Sequence, residues 1–210
     1  MTAKSSLSRR KILDAASGAF AEEGFAGARV DEIARRAGVN KAMLYYHVGD
    51  KRALYGEVLN RNFGRIEKAL REGLPHEGSA SDRLRAVITI VERAIAANPD
   101  HPRIVLREFA SGAANLPAEI LQRMLGLLTI VRDILADGAG NGELRRIDPV
   151  MTHLTLIGAI LMLSVVGPLR KRVTDLGTAI DFPGSDTDIA NFLGDLLLQG
   201  IAAPRSGESK

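Results

Sequence analysis

At 210 residues the chain can bury one good core, or form a small head and a larger body. Apolar residues make up 46% and charged residues 25%, the composition of a folded soluble chain; the absence of Cys excludes disulfides and any thiolate zinc or iron–sulfur site, and suits a reducing cytoplasm. The net charge of +3 is uneven: residues 1–55 hold ten Lys and Arg against six Asp and Glu, and the remainder holds eighteen against nineteen. A basic head on a near-neutral body fits a polyanion bound by the head alone, or simply a slightly basic surface.

The coarse pattern is all-α. Sustained period-two alternation and clusters of β-branched residues are missing, so strands are not expected. The first twenty residues lack an apolar core long enough for a signal peptide. Ile12, Ala15, Ala16, Ala19 and Phe20 recur at helical spacing and mark the inner face of a first helix closed by Gly24. A second, short helix is predicted over about 29–37 and a third over about 41–47, joined by Ala37-Gly38-Val39-Asn40. A long fourth helix starts beside Asp50, a good capping residue, and ends near Gly73. Residues 73–81 read as a loop, followed by helices at about 82–97, 101–112 and 117–137. A break at 137–149 precedes the stretch 150–169, which has no Asp, Glu, Lys or Arg. Pro149 stands at a typical first helical position after Asp148. Twenty such residues could span a bilayer. Thr152, His153, Thr155, Ser164 and Pro168 favour instead a helix buried inside the protein or in a subunit interface. Residues 176–188 read as a loop, and a last amphipathic helix over about 186–201 carries Ile189, Phe192, Leu193, Leu196 and Leu197.

Chemistry concentrates in residues 31–55. Two short helices around a Gly-centred turn form a helix-turn-helix. Gly38 suits a left-handed backbone, while Ile33, Ala34, Ala37, Val39 and Leu44 supply small apolar contacts. The second helix of such a unit enters the major groove by its N-terminus, which aims Lys41, Ala42 and Met43 at base edges. Asn40 can cap that helix or touch phosphate. Tyr45, Tyr46 and His47 gather aromatic rings suited to the DNA backbone. Lys51, in the first turn of the next helix, would face phosphate beside free N–H groups. Singly, each of these residues is equally explained as core or solvated surface; in combination they are far more specific.

The segment "VDEIARRAGVNKAMLYYHVGDKRALY" resembles the DNA-binding signature of the TetR family of bacterial transcriptional regulators. An Ile-Ala pair, an Ala-Gly-Val turn, a Leu-Tyr-Tyr-His stretch and a Lys opening the fourth helix occur in that family's order, and the match covers roughly residues 8–60. The resemblance implies a three-helix DNA-binding head over 7–60 and a C-terminal body over 61–204 that binds an effector and dimerises. It implies a cytoplasmic homodimeric regulator, in most such proteins a repressor, that holds a palindromic operator and is released by a small molecule. It places Lys41, Ala42 and Met43 at bases and Tyr45, Tyr46, His47 and Lys51 at the backbone. Two departures stand out. Ala28 and Arg29 occupy the place of the usual Thr or Ser cap, with Arg29 a candidate phosphate contact, and Val48 replaces a common Phe.

In the body, Leu106, Phe109, Met124, Leu128, His153 and Leu156 are candidate ligand-lining residues. The few aromatics point to an aliphatic pocket and an apolar effector. His101, Arg107, Glu108 and His153 could anchor a polar group, but they lack metal-ligand spacing, and neither a metal nor a cofactor is expected. Two other classes remain. A small helical enzyme would need a nucleophile, nucleotide or metal motif that the sequence lacks. A nonspecific DNA-binding protein would not need so large a near-neutral body.

Overall fold

The computed structural model describes residues 3–177 and 189–201. Among them the regular elements are α1 (Ala3–Gly27), α2 (Val30–Ala37), α3 (Lys41–Val48), α4 (Lys51–Gly73), α5 (Ala80–Ala96), α6 (Asp100–Ala110), α7 (Ala118–Gly140), α8 (Pro149–Val165), α9 (Gly167–Asp175) and α10 (Ile189–Ile201). The fold is all-α, as the sequence pattern requires. Most of the loop expected at 176–188 lies outside the described residues. Two compact units form: one from the residues up to Arg65 together with Asn98–Arg123, the other from Ile66–Ala97 and the residues from Met124 onward.

In the first unit, α1 buries Ile12, Leu13, Ala16, Ala19 and Phe20. Its helical geometry breaks at Gly24, where φ is 72° and ψ is 178°. α2 ends in a Schellman turn: Gly38 is left-handed at φ 68°, and the Gly38 and Val39 N–H groups donate to the Arg35 and Ala34 carbonyls. α2 and α3 meet through Ile33, Ala34, Ala37, Leu44 and Val48, all buried. Behind them, Tyr55 of α4 packs edge-on to Phe20, with ring centroids 4.7 Å apart, and against Phe25 at 5.1 Å.

In the second unit, α5 buries Leu84, Val87, Ile88, Val91 and Ile95, α8 buries Leu156, Ile160 and Leu161, and α10 buries Ala190 and Leu193. An Arg85–Asp195 ion pair of 2.8 Å joins α5 to α10. Gly138 is obligatory by space: a Cβ there would stand 2.6 Å from Leu144 and 2.7 Å from Ala80. The start of α5 is capped from a distance, since the Ala80 and Ser81 N–H groups both donate to the Glu143 carboxylate at 2.8 Å.

The uncharged run at 150–169 departs from the sequence expectation of one continuous helix. It is broken at Val166, where α8 gives way to α9 with a bend of 47°, and Pro168 sits in the first turn of the new helix. Within the single chain α8 buries Thr152, Leu156, Ile160 and Leu161 and exposes Val150, Met151, Leu154 and Met162, so burial inside the protomer covers one face of the helix. Among the described residues no single helix is long and apolar enough to cross a membrane, and α8 with α9 meets that test only as a bent pair.

Candidate nucleic-acid interface

The helix-turn-helix builds its surface from α3. Asn40 caps the helix, accepting the Met43 N–H at 2.8 Å on its side-chain oxygen. That bond fixes where the helix starts, and so which residues stand in its first turn. Leu44 and Val48 are buried, which turns Lys41, Ala42, Met43, Tyr45 and Tyr46 outward, Tyr46 to 82% exposure. A Tyr this exposed contributes little to the fold and is free to meet a ligand. His47 is half-buried, stacked edge-on to Tyr46 at 5.4 Å, and its Nε2 is buried without a protein hydrogen-bond partner.

Two lysines are engaged in ways the sequence does not signal. Lys41 Nζ pairs with the Asp31 carboxylate of α2 at 2.8 Å, and that hydrogen bond raises the lysine's pKa. Lys51 Nζ donates to the Ala26 carbonyl at 3.1 Å and lies 5.0 Å from the centre of the Phe25 ring. It therefore tethers the end of α1 while two of its three N–H groups remain for other acceptors. Arg29 occupies the N-cap of α2 without any side-chain capping bond, as the missing Ser or Thr implies, and its side chain is exposed. Beside it, Glu32 binds Arg35 at 2.7 and 2.8 Å and Arg36 at 2.9 Å. Those bonds, Arg35 first, hold its carboxyl at a pKa of about 2.

The scaffold behind this surface rests on residues far apart in sequence. Arg107 of α6 donates to the Ala21 carbonyl at 3.0 Å and the Glu22 carbonyl at 2.6 Å, two acceptors that the break at Gly24 leaves at the end of α1. Its neighbour Glu108 is buried and accepts from the Tyr55 hydroxyl at 2.7 Å and from the Asn115 backbone and side-chain N–H groups at 3.2 Å. Burial, followed by this bond, raises the Tyr55 pKa. The sequence alone offers Arg107 and Glu108 as possible ligand anchors; in the structure they serve the head.

The six candidate ligand-lining residues divide between the two units. Leu106 is half-buried and Phe109 exposed in the first; Leu156 is buried and Met124, Leu128 and His153 half-buried in the second. His153 Nδ1 is buried without a protein partner, and burial lowers the imidazole's pKa.

Known proteins agree with this geometry. The profile described as "Bacterial regulatory proteins, tetR family" matches residues 12–58, and "Tetracyclin repressor-like, C-terminal domain" matches residues 77–164. The HTH-type transcriptional repressor SCO4008 of Streptomyces coelicolor is 30% identical over 168 residues, 79% of this chain and 82% of that protein. The chain belongs to the TetR family. A second TetR-type relative, the HTH-type transcriptional repressor NicS of Pseudomonas putida, is 28% identical over 198 residues, 92% of each chain. In fold, the chain is similar to AibR, solved in complex with isovaleryl coenzyme A and operator DNA. The TM-score is 0.70 at 20% identity, covering 90% of this chain and 97% of that one. As a TetR-family member the protein is a transcriptional regulator and not an enzyme.

Proposed function

We propose that this TetR-family protein is a ligand-responsive repressor that binds a palindromic operator as a homodimer and leaves it when a small apolar effector binds. The observation that carries the DNA reading is the outward set Lys41, Ala42, Met43, Tyr45 and Tyr46 on a helix whose start is fixed by Asn40. In this reading Lys41, Ala42 and Met43 meet base edges. Arg29, Asn40, Tyr45, Tyr46, His47 and Lys51 hold the backbone. Residues 7–60 do the binding, and 61–204 dimerise and take the effector. Met124, Leu128, His153 and Leu156, in the second unit, carry the effector proposal, with the unpaired His153 Nδ1 available to a polar group. The named functions of SCO4008 and NicS favour repression, and the complex of AibR with isovaleryl coenzyme A and operator DNA favours control by a small ligand.

The test is a footprint on the DNA just upstream of this protein's own gene, followed by a metabolite screen for loss of the complex. Protection of two half-sites related by two-fold symmetry is expected, with transcription rising when the protein is deleted. Equal affinity for random DNA would overturn the operator, and a fall in transcription on deletion would overturn repression. For an effector, the typical coupling of about 1–3 kcal/mol weakens operator affinity about 5- to 150-fold, and operator DNA must weaken effector binding by the same factor. A compound that saturates the body and leaves operator affinity unchanged is not the effector.

A further inference from the structure

The second unit holds a cleft of about 370 Å³ between the end of α7 and the start of α8, and it shares no residue with the effector site proposed above. Leu135, Ala136, Ala139, Gly140, Ile147 and Pro149 form its apolar walls, and Arg132 and Arg146 are its charged lining residues. A volume of this order, mostly apolar with a few placed polar groups, is typical of small-molecule sites. We propose that this cleft binds a monocarboxylate with an apolar body, its tail against the apolar walls and its carboxylate on Arg146.

Charge selects the occupant. Every acidic residue between 133 and 148 is already committed. Asp133 pairs with Arg132 at 2.8 Å, and Asp137 pairs with Arg83 at 2.8 Å. Glu143 accepts the Ala80 and Ser81 N–H groups, and Asp148 accepts the Met151 N–H at 2.8 Å. Arg146 has no ion pair or side-chain hydrogen bond among the described residues. Two of the carbonyls at the end of α7 are taken as well, because Asn141 N–H donates to Asp137 and Leu144 N–H to Gly138. An unengaged guanidinium beside an apolar cleft matches a carboxylate that brings its own hydrocarbon. The planar fork binds both oxygens, and the tail is withdrawn from water. A neutral apolar molecule would use the walls and leave Arg146 idle.

The experiment is isothermal titration calorimetry of the full chain, without DNA, using sodium octanoate as the probe and octan-1-ol as its uncharged counterpart. Octanoate is expected to bind saturably and octanol about tenfold or more weaker, the usual scale for one hydrogen-bonded charge. Arg146→Gln, at an exposed position, should reduce octanoate to the affinity of octanol and leave octanol unchanged. Gly140→Leu should weaken both, since a side chain there meets no protein atom within 4 Å and projects from the cleft wall. Circular dichroism of each variant confirms folding. Equal binding of the two probes, no saturable octanoate binding at millimolar concentration, or octanoate binding indifferent to both substitutions would overturn the site. Because no operator is present, a failure of DNA release elsewhere leaves this result standing, and a failure here leaves the repressor reading standing.

Discussion

In the proposed reading, Lys41 and Asp31 set the terms on which this head meets DNA. Their 2.8 Å pair must open before Lys41 can reach a guanine, and Asp31 brings negative charge close to a polyanion. Both groups are exposed, so the pair itself contributes little to stability. Asp31→Asn should therefore leave the melting temperature unchanged within error and tighten operator binding several-fold in a gel-shift titration; weaker binding would show that Asp31 orients Lys41 productively. Lys41→Ala should cost about 1–3 kcal/mol of binding and relax base preference across a site library. Lys51→Ala, which the sequence alone would class as a pure phosphate contact, should weaken all sequences alike and also lower stability, because its ammonium holds Ala26 and Phe25. His101 offers a test in a different variable. It is buried against Phe63, with ring centroids 5.0 Å apart, and burial lowers its pKa to about 4. The unfolded imidazole takes up its proton near pH 6.5 and the folded one only near 4. Its contribution is thus complete above about pH 6.5 and is lost as pH falls toward 4, amounting to about 3 kcal/mol. Urea titrations from pH 7 to 4 should show that loss, and His101→Phe should flatten it.

At the scale of elements, local chemistry is legible in the sequence and distant chemistry is not. Asn40, Asp50 and Asp148 each cap the helix that follows them, because a cap and its N–H lie three residues apart. Gly24 breaks α1 and Gly38 ends α2 for equally local reasons: both have positive φ. The break at Val166 escapes the sequence pattern because the apolar composition continues through it, and composition does not register a 47° bend. The Tyr55–Glu108 bond joins residues 53 apart, so no spacing rule could announce it. The same holds for the reach of Arg107 to the end of α1. These contacts make α6 part of the scaffold that carries the DNA-binding helices. Tyr55→Phe removes a buried hydrogen bond to a carboxylate and should cost about 1.5–3 kcal/mol in denaturant unfolding. Arg107→Lys should not rescue Arg107→Ala, since a single ammonium cannot reproduce a fork that serves two carbonyls. Full recovery of stability by Lys would reduce Arg107 to a point charge.

For the whole molecule, the proposed dimer makes the number of chains on the operator the decisive quantity. The sequence places Ile189, Phe192, Leu193, Leu196 and Leu197 on one amphipathic helix, and the structure divides them. Leu193 is buried within the protomer, whereas Phe192 and Leu196 are exposed, as are Met151, Leu154 and Met162 of α8. The exposed members are the ones that a second copy would cover. Leu196→Glu therefore places a charge where the isolated chain is open to water and a dimer is not. It should leave the folded protomer intact by circular dichroism and shift light scattering to the monomer mass. Leu193→Asp buries an unpaired charge in the protomer itself and should unfold it at a cost of several kcal/mol, whatever the oligomeric state. The contrast separates loss of assembly from loss of fold, which a single substitution cannot do. The effect on DNA follows from geometry. A palindrome rewards two heads held at the spacing of its half-sites, and a monomer gains only one half-site's contacts. Leu196→Glu should weaken binding to the full operator by orders of magnitude while leaving the weak affinity for an isolated half-site unchanged. A Leu196→Glu protein that still scatters as a dimer would move the interface off α10, and one that is monomeric yet binds the full operator as tightly as before would remove dimerisation from the mechanism.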